Sequence, residues 1–317
     1  MNAPAEITRI LRQADRLALF SHARPDGDTL GSAAALCLAL RSLGKTADLY
    51  CTDEIPARFL FLPVMKEFRR APQEQYDVYV ALDCADAARL GDNEVLFCRQ
   101  RVTVNVDHHI SNTRYAKYNY VAGEASNCEN VHGLLGLLNA ALTPEIANAL
   151  LLGISTDTGN FNHKNVTEHT LKTAAALVGA GADLNAVSYQ MFRRQSKERA
   201  RLFGTVMSRI RYFLGDRLAI ATVMMKDVAE SGAGKDETEG FIDFVMGIDT
   251  VEVGICMMET APRTFKVSFR SRKTDVNAVA SVFGGGGHVL ASGCMIHGYY
   301  EDAVDRLVSA VSRYLEE

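Results

Sequence analysis

The sequence predicts a two-domain α/β protein, with an N-terminal domain built on a parallel sheet and a smaller C-terminal α+β domain. Its 317 residues exceed the usual size of a single domain. The first half alternates short apolar runs with helical patterns, which is typical of a parallel sheet covered on both faces. A basic stretch then interrupts the chain. We therefore expect domains at 1–189 and 213–317, joined by a charged connecting helix at 190–212.

Short apolar runs and helix end signals define the elements of the first domain. Its strands are expected at 17–20, 47–50, 78–82 and 102–106. Its helices are expected at 30–43, 131–140 and 145–154. Gly44 is a suitable stop for the first of these helices, and Pro144 suits the first turn of the last one.

The second domain shows apolar runs and helical patterns in a mixed order, as expected for an α+β unit of ordinary domain size. Its strands are predicted at 217–223, 252–256 and 264–269. Its helices are predicted at 237–246, 276–283 and 301–314.

Composition excludes several classes of protein. The net charge of −4 is unlike that of proteins that track long nucleic acids, so any nucleic-acid substrate is expected to be short or to meet a local basic pocket. The seven cysteines are scattered without a C-x-x-C pair, which argues against a disulfide framework and a structural zinc site. The N-terminus lacks the apolar run of a signal peptide, and no window of about 18 apolar residues predicts a membrane span. A cytoplasmic protein is expected.

Four acidic and histidine signals lie far apart in the chain. They are the H-x-x-x-D-x-D loop with His22, Asp26 and Asp28, the single Asp83, the triplet Asp107-His108-His109, and Asp157. Three of the signals directly follow predicted strands. Because ligands of open α/β sheets bind at the carboxyl ends of the strands, we expect the fold to gather these side chains into one site.

The donor types indicate a transition-metal site. Mixed imidazole and carboxylate ligands suit Mn²⁺, Fe²⁺ or Zn²⁺ better than Ca²⁺. Six donors exceed what one catalytic ion needs, and two ions about 3.5–4 Å apart would serve in-line attack on phosphorus. Taken singly, each signal could be a surface loop, a turn cluster or a helix end. Their joint placement at strand ends favours the metal site.

A second signal lies near the C-terminus, where the glycine run 284–287 precedes His288. Consecutive glycines can expose backbone N–H groups to an anion. Arg270 and Arg272 alternate along a strand end, so they are expected on one side, where guanidinium groups could bind phosphate. The structural alternative is a flexible loop beside a charged surface strand.

Together these motifs resemble the DHH phosphoesterase family with a C-terminal DHHA1 domain, and the resemblance extends from His22 to Gly293. It is most specific to the bacterial nanoRNases, which also act as phosphatases on 3′-phosphoadenosine 5′-phosphate (PAP). The resemblance implies two Mn²⁺ ions, with Mg²⁺ and Co²⁺ as alternatives. One ion would be held by His22, Asp26 and Asp83. The other would be held by Asp28, Asp83, His108 and Asp157.

The resemblance also implies roles for the remaining motif residues. Asp107 would support the metal ligands, and His109 would contact the scissile phosphate or assist proton transfer. The terminal nucleotide would be held by Arg270, Arg272, Gly285, Gly286, Gly287 and His288. The scissile bond would then lie in a cleft between the two domains.

The function implied by the resemblance is hydrolysis of very short single-stranded RNA to mononucleotides, and also of PAP. Long duplexes and membranes are not expected as partners, and a homodimer is compatible with the sequence. One alternative is a stand-alone phosphodiesterase for cyclic di-AMP or its linear product pApA. A second alternative is a non-catalytic RNA-binding module, which the complete set of ligands disfavours.

Other residues near the motifs receive structural interpretations. The segment 124–129 departs from the Ser/Thr-rich pattern that the family shows before a glutamate, and Asn127 and Cys128 are expected near the site entrance. Cys84 is interpreted as a small buried residue. His163 and His169 are interpreted as structural or surface histidines.

Overall fold

The computed structural model describes residues 2–315, without the side chains of 235 and 236, and the chain divides into two compact units after Arg194. The strands of the first unit are β1 (Arg16–Phe20), β2 (Thr46–Tyr50), β3 (Val78–Leu82), β4 (Thr103–Asp107) and β5 (Tyr118–Val121). Its helices are α1 (Pro4–Gln13), α2 (Gly27–Ser42), α3 (Glu94–Cys98), α4 (Asn127–Leu138), α5 (Pro144–Asp157), α6 (Glu168–Gly179) and α7 (Leu184–Ser188).

The first unit contains a five-stranded sheet in the order β2-β1-β3-β4-β5, and each neighbouring pair is parallel. This confirms the predicted parallel sheet. The edge strand β5 was not predicted, because its sequence Tyr-Asn-Tyr-Val is short and half polar. All residues of β3 and β4 are buried, as expected for central strands covered on both faces.

Helices α2 and α5 pack so closely that glycine is required between them. A Cβ atom on Gly31 of α2 would lie 2.3 Å from the carbonyl oxygen of Ala149 in α5. A Cβ atom on Gly153 of α5 would lie 2.6 Å from Oδ1 of Asp28 in α2. Distances below 3 Å cannot be accommodated without movement of the helices. The glycines therefore let the first turn of α2 approach the last turn of α5.

The second unit contains a six-stranded mixed sheet in the order β10-β11-β9-β8-β7-β6. Its strands are β6 (Arg211–Phe213), β7 (Leu218–Val223), β8 (Val253–Ala261), β9 (Thr264–Ser271), β10 (Gly286–His288) and β11 (Ala291–His297). Its helices are α8 (Lys197–Met207), α9 (Met225–Ser231), α10 (Phe241–Met246), α11 (Val276–Ser281) and α12 (Tyr300–Ser312). Strands β7 and β8 run parallel, while the other neighbouring pairs are antiparallel.

The connecting segment predicted at 190–212 differs in the structure. It contains α8, whose Leu202 and Val206 are fully buried in a cluster with Ala219 and Phe241 of the second unit. The helix is thus part of that unit's core, because its apolar residues recur on one face and pack on the sheet. The unit boundary lies before α8, between Arg194 and Gln195.

None of the helices formed by residues 2–315 combines the length and the apolar character that crossing a membrane requires.

Candidate metal centre

The four signals of the first unit meet at the carboxyl edge of its sheet. His22 and Asp83 follow β1 and β3, and Asp107 is the last residue of β4. Asp26 caps the N-terminus of α2 by accepting hydrogen bonds from the amides of Asp28 and Thr29. The fourth signal, Asp157, is the last residue of α5. It reaches the same edge of the sheet because α5 packs against α2.

Two groups of donor atoms form around separate imidazoles. The first consists of His22, Asp26 and Asp83, with the Nε2 atom of His22 3.4 Å from Asp26 Oδ2 and 3.6 Å from Asp83 Oδ2. These separations exceed a normal hydrogen bond. Nε2 of His22 therefore faces two carboxylate oxygens without forming a hydrogen bond to either.

The second group surrounds His108. Its Nε2 atom lies 3.4 Å from Asp83 Oδ1, 3.4 Å from Asp157 Oδ2 and 3.8 Å from Asp28 Oδ2. Asp83 therefore turns one carboxylate oxygen towards His22 and the other towards His108. This division of one carboxylate between two imidazole-containing groups is the central feature of the site.

Asp83 is held in an unusual conformation. Its φ of 59° lies in the left-handed region, which is uncommon for a residue other than glycine, and its side chain is nearly fully buried. Oδ1 of Asp83 and Nε2 of His22 are both buried and lack a hydrogen-bond partner within the described part of the chain. Buried polar atoms of this kind are costly unless a ligand satisfies them.

Backbone carbonyls orient both imidazoles. Nδ1 of His22 lies 2.9 Å from the carbonyl oxygen of Ala23, and Nδ1 of His108 lies 3.1 Å from that of Glu124. A carbonyl accepts only from a protonated nitrogen, so each Nδ1 donates. When the imidazoles are neutral, each Nε2 is then free to coordinate a cation, as in most histidine-metal sites.

Asp28 is fully buried and is held by the N-terminus of α4. Its carboxylate accepts hydrogen bonds from the backbone amides of Asn127 and Cys128, at 2.5 Å and 2.9 Å. Such amides favour a negative charge. Asn127 and Cys128 are themselves fully buried, so they lie behind Asp28 rather than at an entrance to the site as predicted. They act on the site through their backbones.

The cluster carries more negative charge than its surroundings stabilise. Burial, together with the neighbouring Asp83, raises the pKa of Asp28, and burial with the nearby Asp28 raises the pKa of Asp157. Burial lowers the pKa of His22, but Asp26 and Asp83 outweigh it and raise the value to about 9. These shifts all favour forms that reduce the net negative charge of the cluster. Divalent cations would compete with protons and offset the same charge.

The residues present fit a metal centre. Carboxylate and imidazole donors suit divalent transition metals, and the unpaired Asp83 Oδ1 and His22 Nε2 atoms point into the two donor groups. The site thus has the donor chemistry of a divalent-metal centre.

His109 adjoins this centre and is oriented by Asp107. Its Nδ1 lies 2.9 Å from Asp107 Oδ1, and that hydrogen bond is the main reason that the pKa of His109 is raised. Asp107 is fully buried, and its other oxygen accepts a hydrogen bond of 2.6 Å from Asn112. The sequence prediction did not include Asn112. Its amide also donates to Asn105, so a polar network fixes the position of the imidazole.

In the second unit, two of the three predicted basic residues lie on one exposed face of the sheet, and the third forms hydrogen bonds within the unit. Arg270 on β9 and His288 on β10 both pair with Ala291 of the intervening strand β11, so they lie at one level of the sheet and on the same face. Both are exposed. Arg272 lies just beyond β9 and donates to the carbonyl oxygens of Met246, the last residue of α10, and of Ile248. Part of its hydrogen-bonding capacity is therefore used within the unit.

The second half of the glycine run, Gly286 and Gly287, belongs to strand β10 of a hairpin with β11, while Gly284 and Gly285 lie in the turn and link that precede it. The amide of Gly285 donates to the carbonyl of Ala280, and that of Gly287 donates to Oδ1 of Asn277. A Cβ atom on Gly285 would lie 2.2 Å from the carbonyl oxygen of Gly293. Close packing of the hairpin is thus a structural reason for glycine here. A role of the run in substrate binding stays a prediction.

Comparisons with known proteins agree with this fold. The domain described as DHH family, N-terminal domain, matches residues 16–154, and the DHHA1 domain matches residues 215–317. A Thermus thermophilus protein named bifunctional oligoribonuclease and PAP phosphatase NrnA is 33% identical in an alignment that covers 93% of this chain and 89% of that protein. The Bacillus subtilis protein of the same name is 25% identical in an alignment that covers 98% of each chain.

A solved structure of an exopolyphosphatase-related protein from Bacteroides fragilis has the same fold. It matches with a TM-score of 0.83 and 24% identity, covering 98% of this chain and 96% of that one. The fold and the domain matches define a hydrolytic enzyme of the metal-dependent phosphoesterase class. More specifically, the chain belongs to the DHH phosphoesterase family and carries the DHHA1 domain.

Proposed function

We propose that this protein hydrolyses very short single-stranded RNA to mononucleotides and also removes a phosphate from PAP, with two Mn²⁺ ions bound at the candidate centre. The observation that carries the proposal is the division of Asp83 between His22 and His108. The similarity to proteins named for these two activities, over nine-tenths of the chain, supports the choice of substrates.

The protein side chains would bind the cations in two sets. His22, Asp26 and Asp83 would hold one ion, and the other would be held by Asp28, Asp83, His108 and Asp157. Bound cations supply an acidified water and offset the charge that develops on the phosphate. The chain itself fixes the donors by burial, by the amides at the N-terminus of α4 and by the carbonyls behind each imidazole.

His109 would donate a hydrogen bond to the reacting phosphate. Its Nδ1 is bonded to Asp107, which leaves Nε2 for the substrate, and 39% of its side chain is exposed, so a substrate can reach it. A positively charged donor in this position stabilises the transition state more than the ground state. Asp107 and Asn112 would act as positioning residues for this histidine.

Replacing His109 with alanine is expected to lower kcat by about 10²-fold, the scale for loss of one transition-state hydrogen-bond donor. KM should change little, because the interaction strengthens only as charge develops. Steady-state kinetics on a dinucleotide measure kcat and KM separately. Asn112→Ala should give a smaller loss of the same kind. An unchanged kcat in His109→Ala would contradict the assigned role.

The second unit would bind the nucleotide end of the substrate. Arg270 and His288 share one face of the sheet and are exposed, so they can contact a phosphate and its base together. Arg272 would contribute with the donors not used by the carbonyls of Met246 and Ile248. The cleft expected between the two domains stays a prediction.

Replacing Arg270 with alanine is expected to raise KM for a dinucleotide by about 10-fold or more, since a charged hydrogen bond to the substrate is worth about 1.5–3 kcal/mol. Lys266→Ala is the matched control, because Lys266 is also exposed and lies on the same face of β9 four residues away. Equal effects of the two substitutions would mean that general surface charge, rather than Arg270, attracts the substrate.

One experiment tests the proposed function directly. The purified protein with Mn²⁺ is incubated with RNAs of 2 to about 24 nucleotides, PAP, pApA and cyclic di-AMP, and the rates are ranked. Fast cleavage of the shortest RNAs, with slower cleavage as length increases, is expected. A preference for cyclic di-AMP would favour the cyclic-dinucleotide alternative. Binding without hydrolysis of any substrate would favour a non-catalytic module.

A further inference from the structure

A further group of side chains that could bind a metal ion adjoins the candidate centre. It consists of Glu124, Glu129 and His169, each of which offers a ligand atom within 4.8 Å of the others. Glu124 contacts His108 through its backbone carbonyl, while its carboxylate is grouped with Glu129 and His169. The group therefore lies next to the proposed pair of cations but shares no side chain with it.

Within this group, the buried carboxylate of Glu129 is the feature that suggests a bound cation. Its side chain is completely buried, and neither of its carboxylate oxygens forms a hydrogen bond of normal geometry among residues 2–315. Burial raises the pKa of this carboxyl, although the Thr170 hydroxyl and His169 act in the opposite direction. The nearest basic atom is Nε2 of His169, at 3.8 Å, which is too far for a hydrogen bond. A buried carboxylate without partners is costly, and buried charges are normally paired or bound to metals.

The local fold brings the three side chains together from separate elements. Glu129 lies in the first turn of α4, Glu124 in the loop that precedes this helix, and His169 in the first turn of α6. His169 is the accessible member, with 56% of its side chain exposed. An ion can therefore reach Glu129 from solvent past His169.

We infer that Glu124, Glu129 and His169 bind one divalent transition-metal cation at a site distinct from the two-cation centre. Two carboxylates and one imidazole are a donor set that Mn²⁺ and Zn²⁺ accept, with further positions open to water. The cation would pair with the buried Glu129 carboxylate and offset the cost of burying it.

The bound cation would position ligands of the neighbouring centre. It would join the first turns of α4 and α6, and the amides in that turn of α4 hold Asp28. The loop between α5 and α6 begins at Asp157 and is already tied down by Asn165, whose amide donates to the carbonyls of Ala125 and Asp157. The site would thus fix the relative placement of Asp28 and Asp157 without contacting the substrate.

Metal counting by equilibrium dialysis against Mn²⁺, followed by elemental analysis, tests the inference on the full-length protein. Glu129→Gln keeps the shape of the side chain but replaces a carboxylate by an amide, a poor ligand. His169→Ala removes the exposed ligand and leaves the buried residues in place. We expect each variant to bind one Mn²⁺ fewer than the unmodified protein.

Glu168→Gln is the matched control. Glu168 precedes His169 on α6, is exposed and pairs with Lys172 outside the group, so its loss should leave the Mn²⁺ count unchanged. The dialysis is repeated with Zn²⁺. The inference is overturned if His169→Ala binds as much Mn²⁺ and as much Zn²⁺ as the unmodified protein. Because the readout is a difference in bound metal, it does not depend on which substrate the enzyme hydrolyses.

Discussion

Replacing Asp83 with asparagine is expected to reduce turnover of a dinucleotide by on the order of 10³-fold or more, the upper range for loss of one electrostatic transition-state contact. Among the described residues, Asp83 alone faces both imidazoles, so its loss affects both donor groups at once. An amide can occupy the same space, but it cannot supply a negative oxygen to each group. The content of bound Mn²⁺ should fall together with kcat.

Asparagine is the informative substitution because of the backbone at this position. The φ of 59° is tolerated by asparagine much better than by alanine, so Asp83→Asn separates loss of charge from backbone strain. Asp92→Asn is the control, since Asp92 is exposed in the same unit. Kinetics, bound metal and thermal unfolding are measured for both. Wild-type turnover by a correctly folded Asp83→Asn variant would exclude the two-cation site.

Replacing Gly153 with alanine is expected to damage both stability and catalysis. The added Cβ atom would lie 2.2 Å from Sγ of Cys128 and 2.6 Å from Oδ1 of Asp28, so α5 must move away from α2 and α4. Overpacking of this kind costs about 1–3 kcal/mol in the free energy of unfolding. Because Asp28 and Asp157 are carried by the two helices that separate, kcat should fall by about 10²-fold.

Gly133→Ala is the matched control, and it should have the opposite effect on stability. Gly133 is an exposed position within α4, and a Cβ atom placed there meets nothing within 4 Å. Alanine in a helix interior is more favourable than glycine by about 0.5–1 kcal/mol. Denaturant unfolding and dinucleotide kinetics measure both variants. If Gly153→Ala were as stable and active as Gly133→Ala, close packing of α2 on α5 would not position the site.

Much of the fold was predictable, because the N-terminal half has clear apolar runs that alternate with helical patterns. Apolar runs located β1 to β4, and the parallel order of these strands placed His22, Asp83 and Asp107 at one edge. Elements with weak sequence signals were not predicted correctly. Strand β5 is short and partly polar, and α8 has a charged exterior that resembles a linker although its apolar face is buried in the second unit.

The site was predictable in composition but not in its supporting contacts. Asn112, which holds Asp107, lies in a polar loop with no periodic signal. The sequence pattern places Glu129 only in a divergent segment and indicates a surface or structural role for His169. Their proximity depends on the path of the loop between α5 and α6, which local sequence rules do not specify.

Residue types alone predict the chemistry of the candidate site: imidazole and carboxylate donors that follow three predicted strands, together with family motifs that are intact. How these donors are shared depends on the tertiary structure. The left-handed conformation of Asp83 directs its two oxygens to different imidazoles, and glycine contacts bring Asp28 towards Asp157. The physical reason is that residue types fix which atoms can bind a cation. Distances between those atoms depend on helix packing and backbone angles, which involve residues far apart in the chain.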